Sequence, residues 1–390
     1  MNTIQSYNYY MPTNVVSEVN SSKRTGEIVK DVVQKKVLIV TDKGIRDAGL
    51  LEGVIASLES VKLSYAIFDQ VEPNPKAETI GIGVTYLKEN DCDAVIGIGG
   101  GSSIDTAKAI AFIATSGGHV LDYEGVGMIS TSPLPIIAIP TTAGTGSEVT
   151  ASTVITNEKT LFKAAVISPY LFPKIAILDP VLAMKCPPSI TAATGMDALT
   201  HAIESYVSKL AQPVSQALAL QAIKLISRNL RNAYFVGTDL KSRSEMLEAS
   251  MLAGFAFSQS RLGNVHAISQ AFGGVFDIPH GIANATLLPF VLKYNLPACP
   301  EKMKDIAEAM GADVSRLSTS EAASKVLEMV IELNEAFDIP SNIKDLGVSL
   351  NQLPKLIEDS MRSGNILANP RLTNANDVKT IIEDAYYGKL

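Results

Sequence analysis

The stretch "AVIGIGGGSSIDTAKAIAF", residues 94–112, decides the architecture. It reads as a buried strand, then a glycine run, then the start of a helix. Gly99, Gly100 and Gly101 allow positive φ and close backbone approach. Ser102, Ser103 and Asp105 fall where the helix begins, and the open N–H groups of a helix N-terminus bind phosphate. The functional reading is a pyrophosphate cradle; the alternative is a tight turn with no ligand. The run is not a GxGxxG fingerprint, because Ser102 follows Gly97-x-Gly99-x-x, and no GKS or GKT makes it a P-loop.

Working outward, "KKVLIVTD" (35–42), "LSYAIFD" (63–69) and "LPIIAIPTT" (134–142) are further buried strands. "GLLEGVIASLES" and "AETIGIGVTYLKEN" between them have helical spacing. Strands alternating with helices predict a parallel sheet with crossover helices. "TVITN" (153–157), "FKAAVI" (162–167) and "KIAILDP" (174–180) add short strands. Ligands gather at the carboxyl ends of strands in such sheets. "IPTTAGTGSEVTAS" (139–152) puts a second set of glycines and hydroxyls on that edge. Asp42 ends its strand similarly. Its carboxylate suits a ribose hydroxyl and repels a 2′-phosphate, which favours NAD over NADP; a plain strand-end cap is the alternative.

The texture changes near "KCPPS", 185–189. Amphipathic runs follow at 189–208, 213–233, 242–259, 281–296, 301–311, 319–337, 350–361 and 375–386, with Ser189 as the expected first N-cap. The expected division is an α/β dinucleotide-binding domain at 1–186 and an all-helical metal-binding and catalytic domain at 187–390.

With 390 residues, 46% of them hydrophobic, the chain can bury a core for two domains. A formal charge of −7 argues against nucleic acid and anionic membranes as partners. Cys92, Cys186 and Cys299 are odd in number and lack CxxC spacing, so a disulfide framework is not expected. "MNTIQSYNYYMPTNVV" does not read as a signal peptide, and no apolar run is long enough to span a membrane. These features predict a soluble cytoplasmic protein.

Four histidines occur: His119, His201, His266 and His280. In "GMDALTHAIES", residues 195–205, Asp197 and His201 are four apart and share a helix face. A salt bridge explains that pair; so does a metal site. With "VHAISQAFGGVFDIPHG" supplying His266 and His280, the set offers one oxygen and three imidazole nitrogens. Such a set suits Fe2+ or Zn2+ and leaves a position for substrate.

Together these blocks resemble the iron-dependent (group III) alcohol dehydrogenases. "VTDK" near 41, "PNP" at 73–75, "GIGGGSSIDTAKAIA", "PTTAGTGSEVT", "DALTHAIE" and "VHAISQAFGGVFDIPHGIANATLLP" carry the resemblance over nearly the whole length. It implies an α/β nucleotide domain and a helical domain of dehydroquinate synthase-like architecture, with the active site between them. It implies Asp197, His201, His266 and His280 as metal ligands. Gly100, Gly101 and Ser102 would hold the pyrophosphate, and Thr141, Thr142 and Ser147 would line the nucleotide. Asn74, Asp105, Thr150 and Lys163 match cofactor contacts, and Asp42 would disfavour NADPH. The implied chemistry is hydride transfer between NAD(H) and a short-chain alcohol or aldehyde, with the metal as Lewis acid. A homodimer or larger homo-oligomer is also implied. A zinc enzyme resembling dehydroquinate synthase or glycerol dehydrogenase is the near alternative, and a non-catalytic NAD-binding protein is the distant one.

Two positions depart from the pattern. Many relatives carry a histidine where this chain has Gln270, and glutamine is neither acid nor base at neutral pH; no acid–base residue is assigned. Arg261, in "FSQSRLGNVHA", stands where a small residue is commoner. A guanidinium there suits a substrate with an anionic tail, such as sulfoacetaldehyde, phosphonoacetaldehyde or a semialdehyde. The alternative is an arginine turned to solvent or paired with Glu248. Phe257 is a candidate pocket wall or an ordinary core residue.

Overall fold

The computed structural model describes residues 6–390. The signal-peptide reading extends into residues 1–5, which lie outside the described residues. Six strands form an all-parallel sheet: β1 (Asn14–Ser17), β2 (Lys36–Val40), β3 (Ser64–Phe68), β4 (Ala94–Gly99), β6 (Ile136–Pro140) and β9 (Ile175–Leu178). Their order is β1-β9-β6-β4-β2-β3. Every residue of β4, β6 and β9 is buried. That explains the uninterrupted apolar runs: strands covered on both faces cannot alternate with polar residues.

The helices of this half are α1 (Thr25–Val29), α2 (Lys43–Asp47), α3 (Glu52–Ser60), α4 (Ala77–Glu89), α5 (Gly101–Ser116) and α6 (Pro180–Ala183). Val54 and Leu58 of α3 pack with Ile39, Ile96 and Ile137. Ile80 of α4 and Ile110 and Phe112 of α5 pack in another layer with Leu38, Val40 and Val95. The chain leaves β2 over one face and β4 over the other, so neighbouring β2 and β4 flank a topological switch point. Their carboxyl ends part there and open a crevice.

The short strands at 153–157 and 162–167 do not join this sheet. They form the antiparallel pair β7 (Ser152–Asn157) and β8 (Phe162–Ile167), flanked by β5 (Gly125–Val126). Four residues between β7 and β8 permit a hairpin, which a parallel pair could not use. The edge strands β1 and β5 were not anticipated. Among the described residues β1 pairs only with β9, in register Asn14 with Ile175.

From residue 188 onward every regular element is a helix. They are α7 (Pro188–Val207), α8 (Pro213–Phe235), α9 (Leu240–Ser260), α10 (Asn264–Phe276), α11 (His280–Asn295), α12 (Pro300–Met310), α13 (Thr319–Ala336), α14 (Leu353–Arg362), α15 (Asn365–Ala368) and α16 (Ala375–Tyr387), with short 3-10 turns between some of them. The expected Ser189 cap is wrong. Pro188 opens α7 with Pro187 as N-cap, because proline's fixed φ and missing N–H suit a first helical position. α7 lies at the centre, packed by α8, α9 and α11. Met196, Leu199 and Ile203 of α7 join Ile223, Phe272 and Leu288 in one core. The two halves touch backbone to backbone: a Cβ on Gly146 would lie 2.7 Å from the Cα of Gly254. Among the described residues, no helix is long and apolar enough to cross a membrane.

Candidate metal centre and nucleotide cleft

Three helices bring the four expected ligands together. Asp197 and His201 lie one turn apart on α7, His266 is in the first turn of α10, and His280 opens α11. The Oδ1 of Asp197 is 3.8 Å from the Nε2 of His201, 3.6 Å from that of His266 and 4.0 Å from that of His280. Ligand atoms about 2.1 Å from a tetrahedral ion lie roughly 3.4 Å apart, so the set is only a little wider than an ion would draw it. The rings of His201 and His266 stack at 4.5 Å, and Phe257 stacks on the other face of His201 at 4.5 Å.

Electrostatics favour a cation. Burial alone would raise the Asp197 carboxyl, but the three imidazoles hold it well below the usual carboxylate range. Burial pushes His201 and His280 down, which keeps them neutral and able to ligate near pH 7. Burial opposes protonation of His266 too, yet its hydrogen bonds to Asp197 and Glu204 outweigh that and raise it to about 9. A cation at its Nε2 would take the place of that proton.

The ring orientations are set from behind. His266 Nδ1 lies 2.6 Å from Glu204 Oε2, so it donates there and leaves Nε2 to face Asp197. His201 Nδ1 points at the carbonyl of Gly144, at 3.2 Å. Such partners fix the tautomer and raise ligand basicity. Glu204 was not anticipated; the available signal was its place seven residues after Asp197, on the same helix face. Asn284 was also missed, although it follows His280 by the four residues that separate Asp197 from His201. A Cβ on Gly281 would lie 2.5 Å from the carbonyl of Ala193, so the first turn of α11 crosses α7 at glycine distance. The fourth histidine, His119, instead accepts from the Leu121 N–H and caps a 3-10 turn.

Several residues expected to hold the nucleotide follow directly on β2, β4 and β6. Gly100 is the N-cap of α5 and no side chain caps this end, so the first N–H groups stay open for a phosphate. A Cβ on Gly101 would meet Thr145 Cγ2 at 2.7 Å, and one on Gly99, with φ +145°, would meet Ser103 Oγ at 2.6 Å. Ser102 follows in the first turn of α5. Asp42 caps α2 by accepting from the Ile45 N–H, and its other oxygen lies 3.4 Å from Ser103 Oγ. Thr141 N donates to the Gly99 carbonyl, and Thr142 Oγ1 stands 3.6 Å from where a Gly100 Cβ would be.

Other residues expected to touch the cofactor are engaged with protein. Asp105 accepts from Ser147 Oγ and from the Val154 N–H. Thr150 receives the ammonium of Lys108, a buried lysine the sequence did not single out, at 3.1 Å. Lys163 donates to Asn74 Oδ1 at 2.7 Å, and Asn74 donates to Asp277 of the helical half at 2.6 Å. Burial pushes the Lys163 ammonium down to about 8.

Arg261 ends α9 with φ +60°, and its N–H bonds the carbonyl of Phe257. Two residues on, Gly263 abuts Glu204. The guanidinium reaches 3.0 Å from where a Gly364 Cβ would lie. The arginines in ion pairs among the described residues are Arg24, Arg46 and Arg362, so the Glu248 partnership does not form. Gln270 stands one turn after His266, and no titratable group occupies its place.

Comparison with known proteins fits this geometry. Residues 12–180 match the model of the iron-containing alcohol dehydrogenases, and residues 191–386 match the C-terminal model of the Fe-containing alcohol dehydrogenase family. The chain is 42% identical to a 1,3-propanediol dehydrogenase of Klebsiella pneumoniae, over 97% of this chain and 99% of that one. A solved 1,3-propanediol oxidoreductase superposes with TM-score 0.95 at 42% identity, covering 98% of this chain and 100% of the other. The sulfoacetaldehyde reductase of Bifidobacterium kashiwanohense, solved with NAD+, has TM-score 0.87 at 30% identity, covering 98% and 99%. The chain belongs to the iron-containing alcohol dehydrogenase family and is an NAD-dependent, metal-containing alcohol dehydrogenase.

Proposed function

We propose that the enzyme interconverts a short-chain aldehyde and its alcohol, and that Arg261 receives an anionic group at the far end of the substrate. In this reading Asp197, His201, His266 and His280 hold Fe2+, with Zn2+ also suited to the donor set. The cation supplies Lewis acidity toward the substrate oxygen. Ionised Asp197 balances its charge, Glu204 aims His266, and Phe257 walls the His201 side. His280 keeps 29% side-chain exposure where Asp197, His201 and His266 keep 6% or less, so substrate would enter beside it. The N–H groups at the start of α5 hold the pyrophosphate while Asp42 takes a ribose hydroxyl and excludes a 2′-phosphate.

One observation supports the tail assignment: Arg261 is half-buried, tied by its N–H to the Phe257 carbonyl with its guanidinium beside Gly364, and has no carboxylate partner among the described residues. A partly desolvated guanidinium gains most from a carboxylate, sulfonate or phosphonate that can pair with it bidentately. The sulfoacetaldehyde reductase relative, named for a substrate with such a tail, supports the reading. The nearer 1,3-propanediol relatives favour a second one, a general short-chain alcohol or diol dehydrogenase.

The test is NADH oxidation followed at 340 nm with protein purified without oxygen and loaded with Fe2+. Sulfoacetaldehyde, phosphonoacetaldehyde and succinic semialdehyde are set against propanal, butanal and 3-hydroxypropanal. The tail reading expects kcat/KM at least about tenfold higher for an anionic aldehyde, and loss of that preference alone in Arg261→Ala, as for one lost charged hydrogen bond. A preference for the neutral aldehydes, unmoved in Arg261→Ala, hands the substrate to the second reading.

A further inference from the structure

Arg261 and Gly364 are placed against the usual preferences of their types. Arg261 has φ +60° and ψ −176°, a backbone region essentially confined to glycine, where any other residue is strained. Gly364 has φ −62° and ψ −13°, ordinary helical backbone that any residue adopts. The chain puts a long side chain where the backbone favours glycine, and leaves one out where the backbone has no need of glycine. The two positions meet. A Cβ on Gly364 would lie 3.0 Å from Arg261 Nη1 and, its own chain neighbours aside, would meet nothing else within 4 Å among the described residues. The missing side chain keeps the space beside the guanidinium open.

The segment around Gly364 bridges the two halves of the molecule. Two residues before it, Arg362 stacks over Phe162 of β8 at 4.1 Å and donates to Glu124 at 3.0 Å, both in the nucleotide half. Five residues after it, Asn369 is buried. Its Oδ1 accepts from the Asn264 N–H at 3.3 Å, and it exchanges amide hydrogen bonds with Asn295 at 2.8 and 3.0 Å. Asn264 lies two residues before His266 on α10. One end of the segment thus touches the nucleotide half, and the other is pinned to the helix that carries His266. Arg261 is tied to the same surroundings from its own side: Phe257, one turn before it on α9, stacks on His201. The guanidinium is therefore held at a fixed offset from the metal centre, beside a gap and without a carboxylate partner among the described residues.

We propose that Gly364 is a specificity-determining residue: by lacking a side chain it keeps the Arg261 guanidinium unpaired, so that an anionic group of the substrate can take it. This deepens the proposed tail contact and rests on it. An acid at residue 364 would supply the carboxylate from within the protein, at pairing distance, and a substrate tail would have to displace it. The strain at Arg261 fits such a role, since residues held in sparsely populated backbone regions cluster at ligand clamps. Glycine at residue 261 would relieve the strain and remove the cation together. Stability and specificity should then move in opposite directions, which an arginine kept for the fold would not give.

The experiment sets wild type beside Gly364→Asp, Gly364→Asn and Arg261→Gly; the first two are alike in size but not in charge. In Fe2+-loaded protein, kcat/KM with NADH is measured for sulfoacetaldehyde and for propanal, and thermal unfolding is recorded for every variant. The expected result is a ratio of the two kcat/KM values that falls at least about tenfold in Gly364→Asp and no more than about threefold in Gly364→Asn. Arg261→Gly should lose the ratio as well, yet gain about 1–3 °C in Tm. An unchanged ratio in Gly364→Asp overturns the proposal. Equal loss in the Asp and Asn variants also overturns it and makes residue 364 a steric wall, and a lowered Tm in Arg261→Gly overturns it by making the arginine a structural residue. If Gly364→Asp does not fold, Gly364→Glu decides by the same criteria, and failure of both to fold overturns the proposal too. A wild type with no preference for sulfoacetaldehyde would sink the tail contact itself, so the two failures are distinguishable.

Discussion

The two binding regions are built from opposite materials. The nucleotide crevice is main chain: open N–H groups at the start of α5, glycines that let the backbone come close, and short hydroxyl side chains. The proposed metal pocket is side chain: one carboxylate and three imidazoles from α7, α10 and α11, with His266 oriented by Glu204 and His201 by the carbonyl of Gly144. A main-chain site is local and tolerates most side-chain changes, failing only where a Cβ intrudes. A side-chain site is assembled from distant segments and fails when any one support is removed.

The largest expected effect tests the second half of that contrast. Glu204 touches no substrate, yet Glu204→Gln should weaken metal affinity by about 10–100-fold, read by chelator competition, with native circular dichroism. Unchanged affinity would show that the His266 ring is held by packing alone.

The crevice should respond only to bulk. In Gly101→Val the branched side chain meets Thr145, so KM for NADH should rise about tenfold, worth about 1.4 kcal/mol, with bound metal per protomer unchanged. Loss of metal in that variant would break the separation between the two sites.

The smallest effect concerns the buried charges under the crevice. Burial pushes Glu148 up to about 7 from its ordinary 4.5, and Lys108 down to about 8 from 10.5. An acid whose folded value is raised binds protons more tightly when folded. It therefore imposes nothing below pH 4.5, and stability declines as pH rises from there to 7. The lysine acts oppositely: its penalty is in force below pH 8 and is relieved toward 10.5. Glu148→Gln removes the acid's share together with the smaller support its charge gives Lys108, so its Tm relative to wild type should improve by about 1–3 °C between pH 5 and pH 8. A pH-independent difference would mean that Glu148 is not ionising in the folded protein over that range.

The same contrast explains what could be read in advance. The strand-to-helix turn of the proposed cradle was legible because a strand, a glycine run and a helix start are contiguous in residues 94–112. Asp197 and His201 were legible because four residues is one helical turn, and four histidines in 390 residues left few candidates. Glu204 and Asn284 share those helix faces, but a glutamate or asparagine in a helix is ordinary, and only the fold shows them buried against imidazoles. Asp105 and Thr150 have the residue types of cofactor contacts, yet the pattern cannot tell a group facing a ligand from one bonded to Ser147 or Lys108. β1 escaped notice because its sole partner is about 160 residues away. The hairpin of β7 and β8 was legible as strands but not as a separate sheet, since its antiparallel pairing depends on partners rather than periodicity.

Gly281 has a consequence for how such sites drift over generations. The fourth corner of the cage depends on a hydrogen atom: where α11 crosses α7, a methyl group on residue 281 would strike the carbonyl of Ala193 and lever His280 outward. A descendant could keep every ligand letter, the aspartate and all three histidines, and still lose its grip on iron through one added carbon that touches no metal. Counting ligands along a chain would score that descendant as intact. Measuring how closely its two helices cross would not.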